Sequence, residues 1–150
     1  MRSKRLGGDN VRHVLVFDKG DEVIERLLAF ARQEQLTAAS FTGIGAFRDV
    51  TLGFFERESK DYKRIPLVEQ VEVLTLAGDI ALKDDEPQVH AHVVVGKADG
   101  TAWGGHLLEG HVWPTLELVL VESPAELRRT LDEETQLPLI AIEPPRGGRR

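Results

Sequence analysis

From Val11 to Phe17 the chain is apolar and β-branched, and Lys19-Gly20-Asp21-Glu22 then breaks the pattern with a turn and with acids suited to a helix N-terminus. Val23, Ile24, Leu27, Leu28 and Ala31 follow at helical spacing on one side, with Glu22, Glu25, Arg26, Arg32 and Gln33 on the other. One amphipathic helix over one sheet face is predicted. Beyond Ala38 the segments are short, β-prone and separated by Gly, Asp and Pro, and a helical pattern returns only at Pro124-Ala125-Glu126-Leu127, where a short C-terminal helix is expected. The implied class is α+β, dominated by a sheet of many strands. Leu116 to Val121 is apolar on both faces, so both faces must be covered, by the helix, another layer or another subunit. An oligomer is the economical explanation. Glu117 points with Val119 and Val121, where an ionised carboxylate is costly unless paired, which makes it a candidate metal-shell or catalytic acid-base residue.

Gly43-Ile44-Gly45-Ala46-Phe47 follows the strand-like Ala39-Ser40-Phe41-Thr42 but lacks the third glycine and the immediate helix of a dinucleotide fingerprint. A bend, a bulge or a close backbone approach is the better reading.

With 150 residues and 41% hydrophobic content the chain supports one compact domain. That domain is expected over residues 9–143, between basic tails at 1–8 and 144–150. No apolar run of membrane-spanning length and no secretory pattern occurs, so a cytoplasmic protein without membrane contact is expected. The net charge of −6 hides an uneven distribution: Arg2, Lys4, Arg5, Arg146, Arg149 and Arg150 lie in the tails, and without them 13 of the 19 cations face 25 acids. A core this acidic repels a phosphate backbone, which leaves only the tails as nucleic-acid contacts.

The absence of cysteine leaves histidine and carboxylate as the strong metal ligands. Three of the five histidines fall in Val89-His90-Ala91-His92-Val93-Val94-Val95 and Trp103-Gly104-Gly105-His106. On a strand His90 and His92 emerge on one face, roughly 6–7 Å apart at Cα, and Gly96-Lys97-Ala98-Asp99-Gly100 can reverse the chain to bring His106 beside them. Three neutral imidazoles with an open fourth position suit Zn2+, and less selectively nickel, copper or iron. The competing reading makes His90 and His92 ordinary half-buried strand residues. His111 is a candidate fourth ligand, His13 a core or edge histidine, and Asp79, Glu69 and Glu72 turn or solvent-face acids.

The chain resembles, nearly end to end, the plants-and-prokaryotes conserved (PPC) domain family, found alone in bacteria and archaea and fused to AT-hook motifs in plant nuclear proteins. Gly20-Asp21-Glu22, Ser40-Phe41-Thr42-Gly43-Ile44-Gly45-Ala46, Val71 to Ile80, His90-Ala91-His92 and Gly104-Gly105-His106-Leu107-Leu108-Glu109-Gly110 carry the likeness. It implies an antiparallel sheet of about seven strands flanked by a helix, a homotrimer, and His90, His92 and His106 as metal ligands. Pro145-Arg146-Gly147-Gly148-Arg149-Arg150 lacks the Arg-Gly-Arg-Pro core of the plant hook, so hook binding does not carry over. The functional expectations are metal-activated water acting on a small substrate, with Glu117 or Glu109 moving the proton; a small-molecule sensor using the open metal position; or a DNA-associated regulatory module with a structural metal.

Overall fold

The computed structural model describes residues 1–7 and 11–142. Strands β1 (Arg2–Leu6) and β2 (Arg12–Phe17) precede the helix α1 (Val23–Gln33). Strands β3 (Ala38–Glu56), β4 (Asp61–Leu67), β5 (Val71–Lys83), β6 (Glu86–Gly96) and β7 (Ala102–Glu122) follow, and a hairpin of β8 (Arg129–Leu131) and β9 (Pro138–Ile140) ends the described chain. The antiparallel seven-stranded sheet runs β1-β2-β7-β6-β5-β3-β4, with a further pairing between β7 and β3. That extra pairing joins β7, β6, β5 and β3 into a closed circuit.

Two long strands make the closure possible. Along one edge β3 pairs with β5 through residues 38–47 and with β4 through 50–56, while its other edge follows β7. Residues 102–106 of β7 serve β6 and residues 116–121 serve β2. The bends fall at register shifts, one of them between Gly43 and Gly45. A Cβ on Gly43 would lie 2.8 Å from the Glu117 carbonyl oxygen, and one on Gly45 (φ +156) would overlap the Thr115 carbonyl oxygen. The two glycines therefore mark a bulge and a close backbone approach.

The helix begins at an N-cap Glu22 whose carboxylate accepts from the Glu25 amide at 2.7 Å. Val23, Leu27, Phe30 and Ala31 are buried, in one cluster with Leu15, Phe17, Leu118 and Leu120 of the sheet. Each large side chain so buried contributes about 1.5–3 kcal/mol. The fully buried face of the Leu116–Leu120 stretch is thus covered by the helix, and its other face carries Val119, 44% exposed.

Two expectations are corrected. Residues 124–127 form no helix; α1 is the one helix among the described residues. The Leu127 amide bonds to Thr37 O and its carbonyl accepts from the Leu82 amide, so lateral pairing uses the groups a helix would need. Arg2–Leu6, expected within a basic tail, is an edge strand in five-residue register with β2. Its cations disguise it, because edge strands carry charge that discourages further pairing. The expected tail at 144–150 lies outside the described residues.

Candidate metal centre

On β6, Ala91, Val93 and Val95 are buried, so the intervening His90 and His92 emerge on the opposite face. The β6–β7 connection is fixed by bonds from Lys97 N to Thr101 O (2.8 Å) and from Gly100 N to Lys97 O (2.9 Å). Asp99 Oδ1 also accepts from the Thr101 amide and hydroxyl. This closure sets His92 directly opposite His106, and cross-strand partners share a face.

The three imidazoles each offer a nitrogen within 4.8 Å of the others. Ring centroids lie 5.2 Å apart for His90 and His92, 5.3 Å for His90 and His106, and 5.4 Å for His92 and His106. His106 is half-buried and stacks on Tyr62 at 4.5 Å, and its Nδ1 is buried without a hydrogen-bond partner among the described residues. An orphaned imidazole nitrogen beside two others fits a divalent ion, whose bonds to imidazole are about 2.0–2.1 Å.

Electrostatics favour the form an ion requires. Burial, reinforced by His90 and His92, pushes His106 down to about 4. Burial also lowers His90, helped by Arg129 and His92 and opposed by Asp79. Both rings are therefore neutral at pH 7, with lone pairs free for a metal.

Three surrounding residues escaped the reading of the sequence. Asp79, placed there among turn or solvent-face acids, stands opposite His90 in the β5–β6 register, its Oδ2 3.9 Å from His90 Nδ1. Arg129, 7% exposed, pairs with Asp79 and donates from Nη1 to Pro138 O at 3.2 Å. Tyr62 supplies the ring under His106. The signal for Asp79 lay in Asp84-Asp85: both have positive φ (52° and 64°) in a two-residue turn joining Lys83 to Glu86. Counting back from that turn pairs Asp79 with His90.

The remaining candidates lie elsewhere. His111 Nδ1 is 2.6 Å from Asp49 Oδ1 and its Nε2 is 3.7 Å from Glu109 Oε1, so its ring is engaged by carboxylates outside the three-histidine group. Glu109 also faces Arg64 at 3.5 Å. Glu117 pairs with Val16 and Ile44 and lines a groove with Thr42, Thr75 and Val119, whereas His90 and His106 line a different cavity. Within one chain, Glu117 is therefore not brought together with the three histidines. His13 is a buried core histidine, 2.7 Å from Glu122 and edge-on to Phe30. Glu69 pairs with Lys97, and Glu72 is exposed.

A closed antiparallel sheet with a three-histidine face defines the class, and comparison supplies the family. The sequence model of the Plants and Prokaryotes Conserved (PCC) domain matches residues 5–124. The chain belongs to this family. Among solved structures, a metal-containing protein from Archaeoglobus fulgidus is 31% identical with a TM-score of 0.81, over 95% of this chain and 99% of that one. A Bacteroides thetaiotaomicron protein with a provisional DNA-binding designation is 27% identical with a TM-score of 0.86, over 93% and 96%. The Bifunctional protein GlmU of Synechococcus sp. (strain JA-3-3Ab) is 34% identical over 106 residues, 69% of this chain; the match spans only 16% of GlmU.

Proposed function

We propose that this protein is a homotrimeric metal-binding domain in which His90, His92 and His106 hold Zn2+ or another divalent transition metal with a coordination position left open to a small molecule. The convergence of the three nitrogens within 4.8 Å carries the reading. A metal in a related A. fulgidus protein supports it. Lowered His90 and His106 pKa values keep two ligands unprotonated, Tyr62 packs one ring in place, and the Arg129–Asp79 pair sets the charge behind His90. Zinc bound there would supply a Lewis acid and lower the pKa of a bound water to about 7. Either use of the open position, chemistry or sensing, needs only that a ligand reach it, and the cavity beside His90 and His106 offers that access.

The trimer is supported by exposed apolar side chains on the sheet, Ile44, Leu74 and Val119, 62%, 54% and 44% exposed, of which Ile44 and Val119 line one groove, since grouped exposed apolar residues mark an interface. A DNA-associated module with a structural metal is the second reading, favoured by the designation of the B. thetaiotaomicron neighbour and by the exposed Arg2, Lys4 and Arg5 of β1. Metal analysis of the purified protein and of its His92→Ala variant tests the main reading: near-stoichiometric metal in the parent and sharp loss in the variant are expected. Salt-sensitive DNA retention that survives charge reversal of Arg2, Lys4 and Arg5 would remove β1 from the second reading.

A further inference from the structure

Beside the histidines lies a cavity of about 600 Å3, within the range of small-molecule sites. Helix α1 forms one wall with Ile24 and Leu28, one turn apart on a different stripe from Val23, Leu27 and Phe30, which enter the core. Leu137 and Leu139 form another wall, and at one end His90, His106, Tyr62 and Arg129 gather. The cavity thus sets apolar side chains of α1 and of residues 137–139 against the histidine cluster, with Lys83, Asp84, Glu86 and Gln88 completing a mixed lining.

The charges decide what that end accepts. Arg32 pairs with Glu86 at 3.2 Å and Arg129 pairs with Asp79, while Lys83 and Asp84, also in the lining, are of opposite sign, so the charges around the cavity balance without an ion. A divalent ion held by the three imidazoles would add two positive charges that this lining does not compensate, beside apolar side chains, and would attract an anion. Arg129 lines the same cavity; it is 7% exposed, and its Nε has no hydrogen-bond partner among the described residues.

We infer that this cavity binds a small monocarboxylate bearing a short branched apolar tail, with the carboxylate at the three-histidine end and the tail between Ile24 and Leu28 of α1 and Leu137 and Leu139. The inference rests on the metal-centre reading of the proposed function. A neutral ligand of the same shape would leave the positive end unanswered. A carboxylate without a tail would leave the apolar walls to water.

Titration calorimetry of the zinc-loaded protein with 4-methylpentanoate, its primary amide and acetate tests this, with zinc measured in every sample by elemental mass spectrometry. The acid is expected to bind at least tenfold more tightly than either the amide or acetate. Leu139→Glu, at a position already 44% exposed, is expected to weaken the acid at least tenfold with the zinc content unchanged; Leu28→Gln is an independent change on the opposite wall. Equal binding of acid and amide, or of acid and acetate, overturns the proposal even if both variants misfold. Indifference of the acid to both wall variants, folded and zinc-loaded, overturns it as well. Failure to take up zinc at all defeats the metal centre and this inference together, whereas full zinc loading without acid selectivity defeats this inference alone.

Discussion

Acidification of the metal-free protein isolates the cost of burying His106 as a neutral ring. Its pKa falls from 6.5 to about 4 on folding, because burial and the neighbouring His90 and His92 disfavour the imidazolium. Between those values the unfolded chain binds the additional proton, so stability falls as pH falls, by up to about 1.4 kcal/mol per pH unit. Across the whole interval the loss approaches about 3 kcal/mol. His90, also lowered by burial, acts in the same direction. Asp21 and Asp49 lie below their ordinary 3.8, so their stabilisation is present above that value and is lost only at lower pH, outside this window. His106→Phe removes the titration while retaining a ring to stack on Tyr62. Urea unfolding in the presence of a chelator, at pH 7.5, 6.5, 5.5 and 4.5, should show the parent losing about 2–3 kcal/mol more than His106→Phe between the extremes. Parallel pH dependences for the two proteins would refute the assignment.

Other changes probe the frame around the histidines. A Cβ on Gly78 would overlap the His90 carbonyl oxygen and approach the Phe41 ring, so Gly78→Ala should cost about 1–3 kcal/mol in thermal unfolding and weaken metal retention; unchanged stability would contradict the close approach. Asp79→Ala strands the buried Arg129 and should destabilise by about 3 kcal/mol, while adding Arg129→Met should recover part of the loss; strictly additive losses in the double-mutant cycle would deny the coupling. Val119→Arg, in the groove that Val119 shares with the exposed Ile44, should lower the sedimenting mass to that of a monomer with circular dichroism retained. A persistent trimer would place the interface elsewhere.

Local rules reached much of this architecture from the sequence. The helix was legible because Val23, Leu27 and Ala31 repeat at its period, and the histidine face because strand alternation and the Gly96–Gly100 turn act over short distances. Glu117 showed the limit: alternation gave its face correctly, but the face it shares with Val119 belongs to a part of β7 that pairs with β2 and β3, away from His106. Strand β1 was hidden because an exposed edge favours cations over apolar alternation. The Pro124–Leu127 pattern was too short to hold a helix against lateral bonds to Thr37 and Leu82. Arg129 could not be placed from the sequence, since its contact with Asp79 spans 50 residues and depends on how the β8–β9 hairpin folds back over β5.

Metal per chain, measured by elemental mass spectrometry on tag-free protein and on His90→Ala, His92→Ala and His106→Ala, tests the metal centre most directly. Near-stoichiometric metal in the parent and sharp loss in each folded variant are the expected results. A parent that cannot be loaded with any divalent transition metal, or folded variants that retain it fully, would contradict the account.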